Sequence, residues 1–240
     1  MSKLIHPALV RADLRNVLRD STMVMVLFGP VALFALLGFL PLIEALLLSE
    51  LQFDLFPYRP PLVTFLGLIP GLLFAMIYGF IVLDERDEQI VEVMSVTPLR
   101  KEGYLRYKLL IPMLLSFLGP PIIQFSFSLL SLSMTALLPI SFMAGLEAGL
   151  GVLFLVSFSS NKVEGMAFGK LLGIFYLVIP AVFLWDSPLH WIGCISPPFW
   201  IAKASQAALA QDPLVWLHVT LGLAMHLVLL KWMLRKFEES

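Results

Sequence analysis

The 240-residue sequence is 59% hydrophobic and only 14% charged, with a mean hydropathy of +0.91. Soluble domains carry about one charged residue in four, so this composition indicates an integral membrane protein. The net charge of −1 argues against a nucleic-acid partner, and the single cysteine, Cys194, excludes an intrachain disulfide or a thiolate metal cluster. At about 20 residues per crossing, the length allows roughly six transmembrane helices.

The N-terminal segment, residues 1–22, carries several charges and no apolar run, so we do not expect it to be a cleavable signal. Arg11, Arg15 and Arg19 recur every four residues, and leucines lie between them. This pattern predicts a helix that lies in the headgroup region with its arginines on anionic lipid. A merely solvated arm is the alternative. Asp20 and Ser21 offer an N-cap for the first crossing.

Six apolar stretches predict an all-α membrane protein, with one transmembrane permease domain over residues 1–240. With the N-terminus inside, the inner segments hold 14 lysines and arginines and the outer segments hold two. This bias predicts that both termini lie in the cytoplasm and that the protein resides in the cell membrane. The predicted crossings are residues 23–48, 61–83, 109–130, 138–158, 166–185 and 214–230.

The longest strongly polar run is residues 84–108, between the second and third crossings, and it reads DERDEQIVEVMSVTPLRKEGYLRYK. Residues 84–96 place apolar side chains on one side and carboxylates on the other, as one amphipathic helix would. Thr97 and Pro98 break this pattern, and proline favours the first position of a helix, so we predict a second helix from Pro98. Apolar groups beside charges outside the bilayer are typical of a docking site. An ordinary solvated face is the alternative.

The longest outer loop, residues 186–213, combines aromatic and proline residues. Trp191 and Trp200 are amphipathic aromatics of the kind that lie at a membrane interface. Pro197 and Pro198, followed by FWIAKASQAALA, predict a short helix that dips into the outer leaflet. We therefore expect a partly re-entrant segment between the fifth and sixth crossings.

Two polar residues within predicted crossings are candidates for a substrate path. Glu147 is near the middle of the fourth crossing, where a carboxylate is costly and normally faces a partner or a wet cavity. Gly145 and Gly149 flank it at a spacing that lets helices approach closely, so we expect Glu147 at a helix–helix seam. His226 lies within the sixth crossing. A hydrogen-bonded structural role is the alternative for each.

No catalytic or metal-ligating set can be assembled from the sequence by spacing. The four histidines are scattered, and neither a paired-cysteine site nor an H-E-x-x-H motif occurs. We therefore expect no enzyme activity and no cofactor on this chain. A membrane enzyme acting on lipid or peptide is a weaker alternative, because it would need such a set.

The whole arrangement resembles the membrane subunit of an ABC-2-type transporter, also called a type V ABC exporter permease. The shared features include an interfacial helix with Arg19 and Asp20, six crossings with both ends inside, and a partly embedded outer segment around residues 196–200. In that family the inner loop has glutamates, then a Thr-Pro-hydrophobic turn, then a lysine at the next crossing. The residues that the resemblance assigns to ATPase coupling are Glu88, Glu92, Thr97, Pro98, Leu99, Arg100, Tyr104 and Lys108.

This resemblance implies a division of labour. A separate cytoplasmic ATPase, in two copies, would bind ATP and Mg, and the coupling helix in residues 84–108 would transmit its motion to the membrane helices. Two permease subunits, identical or paired with a related chain, would enclose the path. Members of the family export drugs, lipids, peptides and polysaccharides. A non-transporting membrane anchor or sensor subunit of the same fold is the alternative.

Overall fold

The computed structural model describes residues 7–95 and 100–239, and these ranges contain helices and no strand. Short 3₁₀ turns occur at Phe56–Tyr58 and Pro188–Ile195, and a π-helical turn at Ile123–Phe127. The α-helices are α1 (Pro7–Arg19), α2 (Ser21–Leu51), α3 (Arg59–Asp87), α4 (Ile90–Ser95), α5 (Arg100–Ile122), α6 (Met134–Phe158), α7 (Lys162–Tyr176), α8 (Val178–Leu184), α9 (Pro197–Leu209) and α10 (Val215–Glu239).

Six helical stretches in the described ranges are long and apolar enough to cross a membrane. They follow the six predicted crossings in order, and most extend further because the polar flanks remain helical. The prediction of an all-helical chain with six candidate crossings is confirmed. These stretches are Ser21–Leu51, Phe56–Asp87, Arg100–Phe127, Met134–Phe158, Lys162–Leu184 and Val215–Phe237.

The centre of the bundle is α6, which packs against α3, α5, α7, α9 and α10. In its most apolar stretch 83% of the residues are buried, compared with 22% in the corresponding stretches of Ser21–Leu51 and Lys162–Leu184. Those two outer stretches therefore present most of their apolar side chains to the surroundings, as helices in contact with lipid do.

Small residues let α5 and α6 approach closely. A Cβ added at Gly145 would lie 2.9 Å from the carbonyl oxygen of Met113, and one added at Gly149 would lie 3.0 Å from the Met113 sulfur. Glu147, between the two glycines in sequence, is buried and lies against α10. The expectation that this glycine-flanked carboxylate lies at a helix–helix seam is confirmed.

Residues 84–95 of the polar run fold into two helical pieces, the end of α3 and α4, so the prediction of one continuous helix over residues 84–96 is wrong. The chain turns at Gln89, whose φ of 59° is left-handed, and the Gln89 amide N–H donates to Arg86 O at the end of α3. This turn ends α3 as a C-cap does, and it lets Val91 of α4 bury against the bundle. Thr97, Pro98 and Leu99 lie outside the described residues, and α5 is described from Arg100.

Candidate functional site

Lys108, predicted as a coupling residue at the start of the third crossing, is almost fully buried, with 1% of its surface exposed. Its Nζ lies 2.6 Å from Asp13 Oδ1 and 2.9 Å from Glu85 Oε1. These three side chains come from α5, α1 and α3. We call Asp13, Glu85 and Lys108 the ionic clamp, since together they tie three helices to one another.

Two tyrosines complete the hydrogen bonding of the ionic clamp. Tyr107 Oη donates to Asp13 Oδ2 at 2.7 Å, and Tyr104 Oη donates to Glu85. Both rings are buried, and Lys108 Nζ lies 5.4 Å and 5.6 Å from their centroids. Each buried carboxylate therefore receives one ammonium and one phenol hydrogen bond. Buried charges are tolerated when they are paired and hydrogen-bonded in this way.

A second lysine repeats this arrangement near the first. Lys162 Nζ, at the start of α7, lies 2.5 Å from Asp20 Oδ2 and 2.7 Å from Asp84 Oδ2. We call these three residues the Lys162 cluster. Asp20 also accepts from the amide N–H groups of Thr22 and Met23, so the predicted N-cap of the first crossing is confirmed.

The end of α3 connects the two groups of charges. Asp84 binds the Lys162 cluster and Glu85 binds the ionic clamp. The guanidinium of Arg86 donates to the carbonyl oxygens of Val156, at 3.0 Å, and Ser159 at the end of α6. Successive residues on a helix point about 100° apart, which lets these three neighbours reach three different elements. The end of α3 is therefore fixed to α1, α5, α6 and α7.

The Lys162 cluster makes the stability of the fold depend on pH. The hydrogen bond from Lys162, with those from Met23 and Thr22, lowers the pKa of Asp20 below its usual 3.8. A carboxylate with a lower pKa in the folded state contributes stability above pH 3.8, and this contribution is lost as the pH falls through the folded pKa. We expect the unfolding temperature of the detergent-solubilised protein to fall below pH 3.8 less steeply in Asp20→Asn than in the wild type. Equal slopes in the two proteins would contradict this assignment.

The predicted coupling residues separate into buried and exposed groups. Lys108 is buried as a member of the ionic clamp, and Tyr104 is buried where it donates a hydrogen bond to the clamp. Glu88 and Arg100 are exposed. The side chain of Glu92 lies outside the described part of the chain. A role of these residues in coupling stays a prediction.

Sequence reasoning missed two members of the ionic clamp, Asp13 and Glu85. Asp13 is the single acidic residue of α1, and Val17, one turn later, shares its buried face. The signal available in the sequence was an isolated carboxylate one helical turn before a valine. Glu85 had no such signal, because it lies within a run of five charged residues, of which the fold buries one.

The outward face of α1 fits the expected interfacial helix. Leu14 and Leu18 are 53% and 61% exposed, and Arg11, Arg15 and Arg19 are exposed as well. A helix in the headgroup region needs this combination of exposed leucine and arginine. Its position on a membrane stays a prediction.

The aromatic segment predicted as an outer loop, residues 186–213, packs against the bundle through α9, which contacts α6, α8 and α10. Phe199 is fully buried, and Trp200 Nε1 donates to Cys194 O at 2.9 Å. Trp191 is 43% exposed, and the ammonium of Lys203 lies 5.1 Å from its ring centroid. The re-entrant position of the segment and the interfacial role of both tryptophans stay predictions.

The two polar residues predicted for a substrate path form one pair. His226 Nε2 on α10 lies 3.2 Å from Glu147 Oε2 on α6, and both side chains are buried. His226 Nδ1 lies 2.7 Å from Gly222 O; a carbonyl oxygen can only accept, so Nδ1 donates. This bond fixes the imidazole with Nε2 towards the carboxylate.

Comparison with known proteins identifies the family. The family model described as "Fluoroquinolones export permease protein Rv2686c-like" matches residues 13–234, from the first residue of the ionic clamp almost to the end of α10. The chain belongs to this permease family. It is therefore an integral membrane protein of the export-permease type, in agreement with the ABC-2 resemblance.

Two relatives of this permease come from Mycobacterium tuberculosis strains CDC 1551 / Oshkosh and ATCC 25618 / H37Rv. They are named Fluoroquinolones export permease protein MT2760 and Fluoroquinolones export permease protein Rv2686c. Each is 28% identical to this chain over 237 residues, which cover 96% of this chain and 92% of the relative. No solved structure gives a significant match to the permease.

Proposed function

We propose that this permease is the transmembrane subunit of an ATP-driven exporter, and that a separate ATPase docks on the end formed by α3, α4 and α5. The observation that carries this proposal is the ionic clamp. An imposed displacement reaches the membrane helices when the docking element is held stiffly to them, and buried charges at 2.6 Å and 2.9 Å provide such a connection.

The exposed surface beside the ionic clamp has the composition of a docking site. Asp87 and Glu88 are exposed at the end of α3, and Val93 of α4 is 61% exposed. Val91, two residues earlier, is buried and holds α4 against the bundle. An exposed apolar side chain a few residues from exposed carboxylates favours a partner surface that combines an apolar patch with basic residues.

The predicted coupling residues then have two roles. Glu88, Arg100 and Glu92 would contact the ATPase, while Tyr104 and Lys108 would act from inside by fixing α5 to α1 and α3. The Thr97-Pro98-Leu99 turn would form the elbow between the two helices.

The proposed assembly places this end of the bundle in the cytoplasm, following the excess of lysine and arginine at the termini and polar loops. Two ATPase copies would bind ATP and Mg, and a second permease, identical or related, would complete the path. Support for a second subunit comes from the apolar stretches of Ser21–Leu51 and Lys162–Leu184, in which 22% of the residues are buried within this chain. Lipid would cover the remaining apolar surface.

The proposed cargo is an aromatic, amphiphilic drug. The two relatives are named for the export of fluoroquinolones, which are compounds of this kind. An apolar bundle with a buried carboxylate–histidine pair suits a cargo that is mostly apolar and carries few charges.

Co-purification tests the docking proposal. The permease is co-expressed in turn with each ABC ATPase of its own organism, and the ATPase recovered on a tagged permease is measured. We expect Glu88→Lys with Glu92→Lys to reduce recovery about tenfold, because two attractive charges become repulsive.

Glu50→Lys is the matched control, since Glu50 is an exposed carboxylate in the last turn of α2. This variant should retain wild-type recovery, and all three proteins should elute identically in size-exclusion chromatography. Wild-type recovery in the double variant would count against the proposed docking surface.

A further inference from the structure

A cleft of about 140 Å³ opens where α6, α7 and α10 meet the segment that leads into α9. Its walls are mostly apolar and include Leu150 and Phe154 of α6, Phe175 of α7 and Leu229 of α10. Among the residues that the structure describes, Glu147 is the only charged one in its lining. The cleft therefore combines an apolar surface with a single negative group.

Two buried polar atoms of this lining lack hydrogen-bond partners within the described ranges. They are Glu147 Oε2 and Ser196 Oγ, on residues that are 7% and 4% exposed. Ser196 is the N-cap residue of α9, yet its side chain makes no capping hydrogen bond. A buried polar group without a partner costs about 1–3 kcal/mol. Two such groups in one cleft leave hydrogen bonds that a ligand could supply.

His226 does not supply the hydrogen bond that Glu147 Oε2 lacks. Its Nε2 lies 3.2 Å from Glu147 Oε2, but the two atoms form no hydrogen bond with each other. Because Nδ1 donates its proton to Gly222 O, the neutral imidazole has no proton on Nε2 to donate to the carboxylate.

We propose that this cleft binds the protonated amine end of an amphiphilic ligand, with Glu147 as counter-ion and Ser196 as a hydrogen-bond acceptor. An ammonium group supplies both the positive charge and the N–H donors that these two side chains lack. The apolar walls accept the carbon ring or chain that carries the amine. This inference rests on the proposed export of amphiphilic drugs and defines the chemistry that the permease would recognise.

The size of the cleft sets how the ligand lies. Pockets that enclose a drug-sized molecule measure about 300–1,000 Å³, so 140 Å³ holds only the amine-bearing ring. Phe175 and Ile195, which also line the cleft, are 39% and 73% exposed, so the cleft opens on the flank of the bundle. The rest of the ligand would extend through this opening towards lipid or the second permease.

Binding of a matched pair of ligands tests the site. Ciprofloxacin is a fluorescent fluoroquinolone with a basic piperazine amine, and N-acetylciprofloxacin lacks that basic amine. Fluorescence anisotropy measures both with the full permease in lipid nanodiscs, after subtraction of empty nanodiscs and without any ATPase. We expect the wild type to bind ciprofloxacin at least tenfold more tightly than the acetylated compound. Equal affinities would overturn the proposal.

Variants then assign the preference to particular side chains. Glu147→Gln should bind both compounds equally, and Ser196→Ala should reduce the preference severalfold. Glu50→Gln, at an exposed carboxylate in the last turn of α2, should retain it. Retention of the preference in Glu147→Gln, or its loss in Glu50→Gln, would overturn the assignment. If Glu147→Gln does not fold, the wild-type ligand pair and Ser196→Ala still decide the outcome.

The outcome is separable from that of the docking proposal, because the binding assay contains no ATPase. Loss of the amine preference with intact ATPase co-purification would remove the cleft proposal and leave the exporter. An intact amine preference without ATPase association would remove the docking proposal and leave the cleft proposal.

Discussion

Replacing Lys108 by methionine is expected to lower the free energy of unfolding by about 3–5 kcal/mol, the cost of leaving a buried charge without its partner. The variant would leave Asp13 and Glu85, which are 4% and 7% exposed, without a cation. The single cysteine, Cys194, allows unfolding to be followed with a thiol-reactive fluorescent dye. In a chain of this length we expect the unfolding temperature to fall by about 10 °C.

Two further proteins separate the loss of the ion pairs from a general effect of removing a lysine. Lys170→Met, at an exposed lysine of α7, should change the unfolding free energy by less than about 0.5 kcal/mol. Adding Asp13→Asn and Glu85→Gln to Lys108→Met removes all three buried charges and should recover much of the lost stability. An unfolding temperature in Lys108→Met equal to that of Lys170→Met would show that the ionic clamp does not hold the helices together.

Gly145→Ala is expected to destabilise the bundle by about 1–3 kcal/mol through overpacking at the contact of α5 and α6. The added methyl group would lie 2.9 Å from the carbonyl oxygen of Met113. A flexible side chain could rotate away, but a backbone oxygen moves only if α5 moves. The same dye assay measures the shift, and an unfolding temperature at or above that of the wild type would contradict the close approach.

Gly173→Ala provides the matched control, because it makes the same chemical change in another helix. In the described part of the chain, no atom beyond the neighbouring backbone of the same helix lies within 4 Å of a Cβ added there. Alanine favours the helix over glycine by roughly 0.5–1 kcal/mol, so this variant should raise the unfolding temperature. The two glycine variants are therefore expected to shift stability in opposite directions.

The ionic clamp and the Lys162 cluster explain how a force on the polar run could reach the rest of the bundle. Each lysine bridges two carboxylates, one from the end of α3 and one from the N-terminal region. A force on α4 would therefore reach α1, α5 and α7 together. This arrangement suits the proposed exporter, in which an ATPase would move several helices as one unit.

Much of the architecture was predictable from the sequence because it follows from local patterns. A helix crosses a membrane when about 20 apolar residues satisfy all their backbone hydrogen bonds internally. Six apolar runs of this kind are visible in the sequence alone. The polar run, the N-cap at Asp20 and the glycines beside Glu147 are also local signals. Each concerns neighbouring residues in the chain, where spacing determines geometry.

The tertiary structure alone decided which charges meet. Asp13 and Lys108 are 95 residues apart and lie on different helices, so no spacing rule joins them. The packing of α6 and α10 likewise brings His226 to Glu147. The packing of α9 places Ser196, whose side chain makes no capping hydrogen bond, in the cleft beside Glu147. The sequence determined that this chain would be a bundle of membrane helices with a polar projection. Packing decided which carboxylates are buried and paired, because burial depends on neighbours that are distant in the chain.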